Sequence, residues 1–365
     1  MRRYLRYFDW ASFFLVLAIC TIGLAFVFSA TYQPDRPLSI FFKKQLFGIL
    51  SGIVIYFVAS LINHNTFCKL GHNTNYLVIA LLVFTKLKGS IGMGAQRWIN
   101  LFFFKFQPSE LAKLFFSPFI TYHFHTYGQT IIQRFKIFIY PLTILAITSF
   151  LILRQPDLGT ALVFFFGGLI LLWFSGIKRR FFVILFLLFA TSAPILWKTL
   201  KPYQKQRIAV FLGYGDTQKE RYQIEQATIA VGSGGLTGKG FLNGTQNKLM
   251  FLPEGRTDFI FAVLCEEIGF LGAMLVLLLY LALFLTIISK IKRFESSLDQ
   301  LLALGLIVYT FLAVAINIGM VVELLPVVGV PLPFMSYGVS HLWICFASFG
   351  MIQSIVIRQS YIGPK

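Results

Sequence analysis

"MRRYLRYFDWASFFLVLAICTIGLAFVFSA", residues 1–30, decides the fold class. A basic start leads into an apolar run too long for a signal peptide, and no A-x-A cleavage pattern follows. The stretch reads as an uncleaved first membrane helix. Comparable apolar runs recur to the end of the chain. Of its 365 residues, 57% are hydrophobic and only 13% are charged, against about 25% charged in a soluble domain. A bilayer core admits only segments that satisfy their own backbone hydrogen bonds. The expected fold is therefore an all-α polytopic integral membrane protein.

Ten membrane segments are expected, at 8–30, 41–62, 75–87, 107–125, 136–154, 159–176, 180–197, 258–289, 299–322 and 333–357. They form a single membrane domain over residues 1–365. The connection between the seventh and eighth, 198–257, is long enough to imply work of its own. Lys and Arg in the short connections place the N- and C-termini on the cytoplasmic side. The 198–257 loop then lies outside and carries nine basic residues. It is either a solvated loop near anionic lipid or a cationic mouth for a phosphate-bearing, lipid-linked substrate. The four cysteines and five histidines are scattered, which suggests neither a disulfide framework nor a zinc site.

With 14 acidic residues in all, the chain's placement of acids is informative. "LPEGRTDFIFAVLCEEIGFLG", 252–272, holds four. Asp258, at the mouth of an apolar run, can be a helix cap or a base that takes a proton from an attacking hydroxyl. A helix N-terminus would favour its ionised form. Glu266 and Glu267 lie about 12 Å further along a helix, too far for a glycosidase-like carboxylate pair, which needs roughly 5–9.5 Å. Intramembrane carboxylates cost about 2.5–3.5 kcal/mol each at a helix centre. An internal polar clasp, with Lys113 or Arg154 as partner, is expected for Glu267 and is one of two readings for Glu266.

Further polar stretches interrupt the apolar chain. In "GAQRWINLFFFKFQPSELAKL", 94–114, Pro108 and Ser109 open a helix, and Glu110 and Lys113 share a face at i, i+3. Arg97 sits beside the interfacial Trp98 and can grip a phosphate. "LRQPDLGTAL", 153–162, leaves Arg154 and Asp157 in a polar turn, or in a broken helix lining a cavity. "VGSGGLTGKGFLNGTQNKL", 231–249, is Gly-rich, with Lys239 and Lys248; its amides can line an anion site, but it is not a Walker loop. "LLPVVGVPLPFMSYGVS", 324–340, reads as a re-entrant loop.

Together, and in this order, these stretches resemble the SEDS family (shape, elongation, division and sporulation). The short N-terminus, "GAQRW" and "NGTQ" are more similar to its elongation branch than to its division branch. The resemblance implies a ten-helix peptidoglycan glycosyltransferase of the bacterial inner membrane. Such a protein polymerises lipid II, a disaccharide-pentapeptide on undecaprenyl pyrophosphate, at the outer face. The family's essential aspartate falls on Asp258; family motif residues fall on Arg97, Trp98, Glu110 and Lys113. Implied partners are a class B penicillin-binding transpeptidase, the elongation machinery and membrane lipid, with no nucleic acid. Arg256 stands where the family usually has His, and Val339 and His341 replace residues of its usual last motif.

The implied reaction is inverting, with Asp258 as general base and undecaprenyl pyrophosphate leaving. Arg97, Lys113, Arg154, Lys239, Lys248 and Arg256 are the candidates to stabilise that leaving charge. No cofactor is required, though a divalent cation such as Mg can help. A lipid-linked sugar flippase, a septal polymerase and a non-catalytic scaffold are the alternatives. The roles of Asp157 and Glu266, in chemistry or in structure, are left open.

Overall fold

The computed structural model describes residues 6–92, 95–101, 104–127, 134–176, 179–185, 187, 191, 198, 202–211, 214, 218–249 and 251–362. Among the described residues, six helices are long and apolar enough to cross a membrane: Trp10–Ala30, Ile40–Leu61, Ile137–Arg154 within the helix Arg134–Arg154, Ile260–Ile291, Ser297–Val321 and Val339–Ser360 within Val339–Ile362. Leu158–Phe174 is a shorter apolar helix. The expected short segment at 75–87 is the end of a longer helix, His64–Lys88, and Pro108–Tyr127 stands where 107–125 was expected. The expected segment at 180–197 lies largely outside the described residues.

Short polar residues start several of these helices, because they accept from backbone N–H groups that have no partner in the first turn. Ser39 accepts from Phe42 N and Asp157 from Thr160 N. The last helix packs along Ile40–Leu61, His64–Lys88 along Pro108–Tyr127, and Ile260–Ile291 against Trp10–Ala30.

Two features depart from an all-α expectation of spans and loops. First, residues 90–106 form a three-stranded antiparallel sheet, Ser90–Gly92, Ala95–Leu101 and Phe104–Phe106. Ile99 pairs with Phe106 and Ser90 with Trp98. The hairpin was hidden in the sequence because its outer strands have three residues each and the middle one, AQRWINL, does not alternate apolar with polar. Second, the 198–257 connection carries helices Pro202–Phe211 and Gln218–Ser233 and a single turn, Thr245–Lys248.

The Gly-rich stretch after Ser233 repairs a break in the helix Ile260–Ile291. At Gly269 (φ 71°, ψ −163°) that helix leaves helical geometry. The N–H groups freed beyond the break donate to the stretch: Phe270 N to Gly235 O (2.8 Å) and Leu271 N to Leu236 O (3.1 Å). The carbonyls freed before it accept from the stretch: Glu266 O from Lys239 N (3.0 Å) and Glu267 O from Gly240 N (2.9 Å). Irregular backbone at membrane depth survives only where its polar groups are satisfied in this way.

Gly269 occupies a backbone region that is essentially restricted to glycine, and a Cβ there would stand 2.3 Å from Gly238 N. Gly269→Ala is expected to cost about 1–3 kcal/mol in backbone strain alone. The clash adds to it, and a lowered melting temperature in detergent reads the sum.

Candidate active site

Asp258 stands just ahead of the helix Ile260–Ile291. The capping residue is Phe259, and no side chain caps that end, so Asp258 is not the helix cap. Its backbone and its neighbours' are clamped instead. Three consecutive carbonyls accept from a single region of the chain. Tyr337 N donates to Arg256 O (3.0 Å), Ser336 Oγ to Thr257 O (2.5 Å) and Asn317 Nδ2 to Asp258 O (2.8 Å). Asn317 Nδ2 also donates to Val330 O at 2.7 Å. The loop 322–338 is held in turn by Gln45, buried in the second helix. Gln45 Nε2 donates to Ser336 O (3.1 Å), and Gly338 N donates to Gln45 Oε1 (3.2 Å). The re-entrant reading of "LLPVVGVPLPFMSYG" thus acquires a purpose: the loop fixes the backbone that carries Asp258.

The Asp258 carboxylate accepts no hydrogen bond from any described residue. Gly329, at φ +73°, passes beside it, and a Cβ there would lie 3.3 Å from Oδ2. Burial and the Glu254 carboxylate push the Asp258 pKa up to about 6, against the opposing charges of Arg97 and Arg207. Burial and Glu254 thus work against the ionised form that a helix N-terminus was expected to favour. It is a carboxylate at neutral pH, but one whose basicity has been raised. Glu254 is fixed by Thr257 Oγ1, which donates to its Oε2 at 2.9 Å.

Arg97 reaches this site from the middle strand of the sheet. Its Nη1 lies 3.2 Å from Asp157 Oδ2, which also accepts from Gln107 Nε2 at 2.7 Å. Asp157 thereby caps one helix and anchors Arg97 at once. The Arg97 guanidinium lies 5.8 Å from the Trp98 ring centre, and that of Arg256 sits 4.1 Å over the Phe41 ring. The cationic groups that act on Asp258 are Arg97 and Arg207, the second of which the sequence did not single out.

The other candidate cations are engaged elsewhere. Lys113 Nζ pairs with Glu110 Oε1 (2.6 Å) inside the bundle, and His341 Nδ1 meets Glu110 Oε2 at 2.8 Å. The departure of His341 from the family pattern was the one sequence signal of that third member. Lys239 Nζ pairs with Glu266 Oε1 at 2.7 Å. Arg154 lies over Phe150, and Lys248 reaches Asn243 at 3.4 Å on the surface.

The clasp expected for Glu267 exists and takes in Glu266 as well, but its partners are neither Lys113 nor Arg154. Glu266 Oε1 accepts from Lys239, from Thr245 N (2.8 Å) and Oγ1 (2.9 Å), and from Gln246 N (3.1 Å). Glu267 accepts from Ser29 Oγ and from Leu242 N. The Gly-rich amides do hold an anion, and it is the protein's own carboxylate. Among the described residues, no three His, Cys, Asp or Glu side chains converge as metal ligands.

A family profile described as FtsW/RodA/SpoVE cell cycle protein matches residues 10–361. The chain belongs to this family. It is 37% identical over 343 residues to the peptidoglycan glycosyltransferase MrdB of Escherichia coli K12, covering 93% of this chain and 91% of the relative. It is 36% identical to a probable peptidoglycan glycosyltransferase FtsW of Coxiella burnetii, with 93% of each covered. The solved structure of the Thermus thermophilus rod shape determining protein RodA superposes with a TM-score of 0.71 at 26% identity, covering 96% of this chain and 97% of that one. A chain from "Structural coordination of polymerization and crosslinking by a peptidoglycan synthase complex" reaches 0.81 at 27% identity, covering 98% and 99%. The expected family is thus shown, and the multi-pass membrane character with it.

Asn317→Leu is expected to leave the Asp258 and Val330 carbonyls without their donor, at about 1–3 kcal/mol. Thermal unfolding in detergent measures the loss.

Proposed function

We infer that this protein polymerises lipid II into β-1,4-linked glycan, with Asp258 as the general base. The chain is a peptidoglycan glycosyltransferase, as its relatives at 30% identity and above are named. One observation carries the assignment of the base. Asp258 is half-buried, accepts no hydrogen bond from a described residue, and has its basicity raised towards neutrality. A base poised near the working pH is the efficient one.

The acceptor's GlcNAc 4-hydroxyl attacks the anomeric carbon of the donor's MurNAc. The hydroxyl proton passes to Asp258 as the new C–O bond forms. The bond from that carbon to undecaprenyl pyrophosphate breaks on the opposite face, which inverts the centre. No carboxylic acid need protonate the departing pyrophosphate, because its charge is met by Arg97, Arg256 and Arg207. A divalent cation such as Mg, where present, supplies further charge to the pyrophosphate.

Around this chemistry we place ten membrane helices of a bacterial inner membrane protein. Both termini are cytoplasmic, and the 198–257 connection and Asp258 face outward. The elongation-type role in cell shape follows from "GAQRW" and "NGTQ". A class B penicillin-binding transpeptidase is the proposed partner, in keeping with the similarity to a chain of a peptidoglycan synthase complex.

The test is polymerisation of lipid II by the purified full-length chain, alone and with its transpeptidase. Asp258→Asn is expected to lower the rate by about 10²–10⁴-fold. Undiminished polymer from this variant refutes the assignment. Below pH 6 the wild-type rate should fall about tenfold per unit as the carboxylate protonates, and it should plateau above.

The same raised pKa bears on stability. The folded state favours protonated Asp258, an advantage present below the unfolded value of 3.8 and lost as pH rises through about 6. Asp258→Asn should therefore melt above wild type at pH 7.5 and level with it near pH 3.5.

Neighbouring charges should move the acid limb in opposite directions. Glu254→Gln removes a like charge and shifts it to lower pH. Arg97→Gln removes an opposite charge and shifts it to higher pH. Both shifts are read from pH–rate profiles.

A further inference from the structure

A cleft of about 260 Å³ opens between the helices Pro202–Phe211, Gln218–Ser233 and the end of Ser297–Val321. Its walls are Val210, Phe211 and Ile224, and Met320 lies on its floor. Arg221, Glu225 and Glu323 supply its charges. The volume is somewhat below the roughly 300–1,000 Å³ of clefts that take whole small ligands. It suits one part of a larger molecule.

Two helices link this cleft to the Asp258 site. Asn317, which holds the Asp258 carbonyl, precedes Met320 by three residues, a rise of about 4.5 Å on the same helix. Arg207, whose charge acts on Asp258, precedes Val210 and Phe211 by three and four residues. Those spacings put all three on one helix face. The cleft thus lies about one helical turn along from two residues, Asn317 and Arg207, that touch or act on Asp258.

The charges state what the cleft accepts. Arg221 Nε is paired with Glu225 Oε1 at 2.8 Å, and both are exposed. Glu323 accepts from Thr228 Oγ1 and has no cation among the described residues. Its backbone sits at φ +60°, where a non-glycine residue is strained, and this conformation presents its side chain to the cleft. The sum is one negative charge, in a chain whose net charge is +18 with only 14 acids to place. Apolar walls with a surplus carboxylate complement a short peptide bearing a free amine.

We propose that this cleft binds the peptide stem of the donor substrate, with Glu323 receiving the side-chain ammonium of a diamino acid in that stem. The proposal rests on the polymerase reading above. It is consistent with the substrate's covalent layout, since the stem hangs from the same sugar whose anomeric carbon reacts. The remaining polar pair, Arg221 and Glu225, can open to receive the stem's carboxylate on Arg221.

The experiment compares lipid II carrying a free side-chain amine with the same molecule acetylated at that amine, using the full-length chain. For the wild type, acetylation should lower kcat/KM on the order of tenfold, the scale of one charge-assisted hydrogen bond. Glu323→Gln should lower kcat/KM for the free-amine substrate and bring the ratio between the two substrates close to one. Ile224→Trp, which fills the cleft, should raise KM for both and leave a substrate lacking the stem unaffected.

Equal kcat/KM for the two substrates in the wild type overturns the proposal. So does discrimination that survives Glu323→Gln. Weakened capture of the transpeptidase by these variants, with the ratio unchanged, makes the cleft a protein-docking face and overturns it too. Failure of the underlying polymerase reading looks different: no glycan forms from any of the substrates, or Asp258→Asn polymerises undiminished.

Discussion

Three adjacent carbonyls, those of Arg256, Thr257 and Asp258, are taken one after another by Tyr337 N, Ser336 Oγ and Asn317 Nδ2. The rest of the site depends on this clamp. A carboxylate that is to remain free of hydrogen bonds cannot be positioned through its own oxygens, so its backbone must be positioned instead. The loop that provides the first two donors is itself gripped by Gln45 and, through Tyr280, at the Pro333 carbonyl, while Asn317 comes from the helix before it. Ser340 Oγ, in the first turn of the helix that follows the loop, adds a bond to Lys105 O at 2.6 Å, which joins that end to the sheet that carries Arg97. Asp258 and its cationic neighbour are thereby referred to the same frame.

The acids of the chain are separated by environment into different kinds of work. Asp157 is consumed by Arg97, Gln107 and a helix start. Glu110 is consumed by Lys113 and His341. Glu266 and Glu267 are consumed by Lys239, Ser29 and the amides of the Gly-rich stretch. Each of these buried carboxylates is compensated, as burial requires. Asp258 alone is left with a raised pKa and no donor among the described residues, which is the condition for accepting a proton from substrate.

Much of this was legible in the sequence, and particular residues show why. Hydrophobic length announces membrane helices because the bilayer core leaves no other way to satisfy the backbone. Glu110 and Lys113, at i, i+3 after Pro108, declared their pairing because helical spacing alone fixes it. Asp258 stood out through its place among so few acids. Asn317 and Gln45 were missed, although a lone amide inside an apolar run is a signal of the same kind. The sheet at 90–106 was missed because its outer strands are too short to show alternation and its middle strand, Ala95–Leu101, does not alternate. Arg207 was missed because a basic residue in a basic loop carries no mark of its own.

The sequence by itself determined the membrane class and the family, and it singled out Asp258, because these follow from composition, spacing and motif order. The tertiary structure alone decided the partnerships. Lys239 rather than Lys113 neutralises Glu266, and Arg97 reaches Asp157 and bears on Asp258 by way of a hairpin. The Gly-rich stretch serves a broken helix and its two glutamates. Each of these contacts joins segments remote in the chain, and which charge meets which follows from how the helices pack. That packing also set the basicity of Asp258, since burial and neighbouring charge exist only once the chain has folded around it.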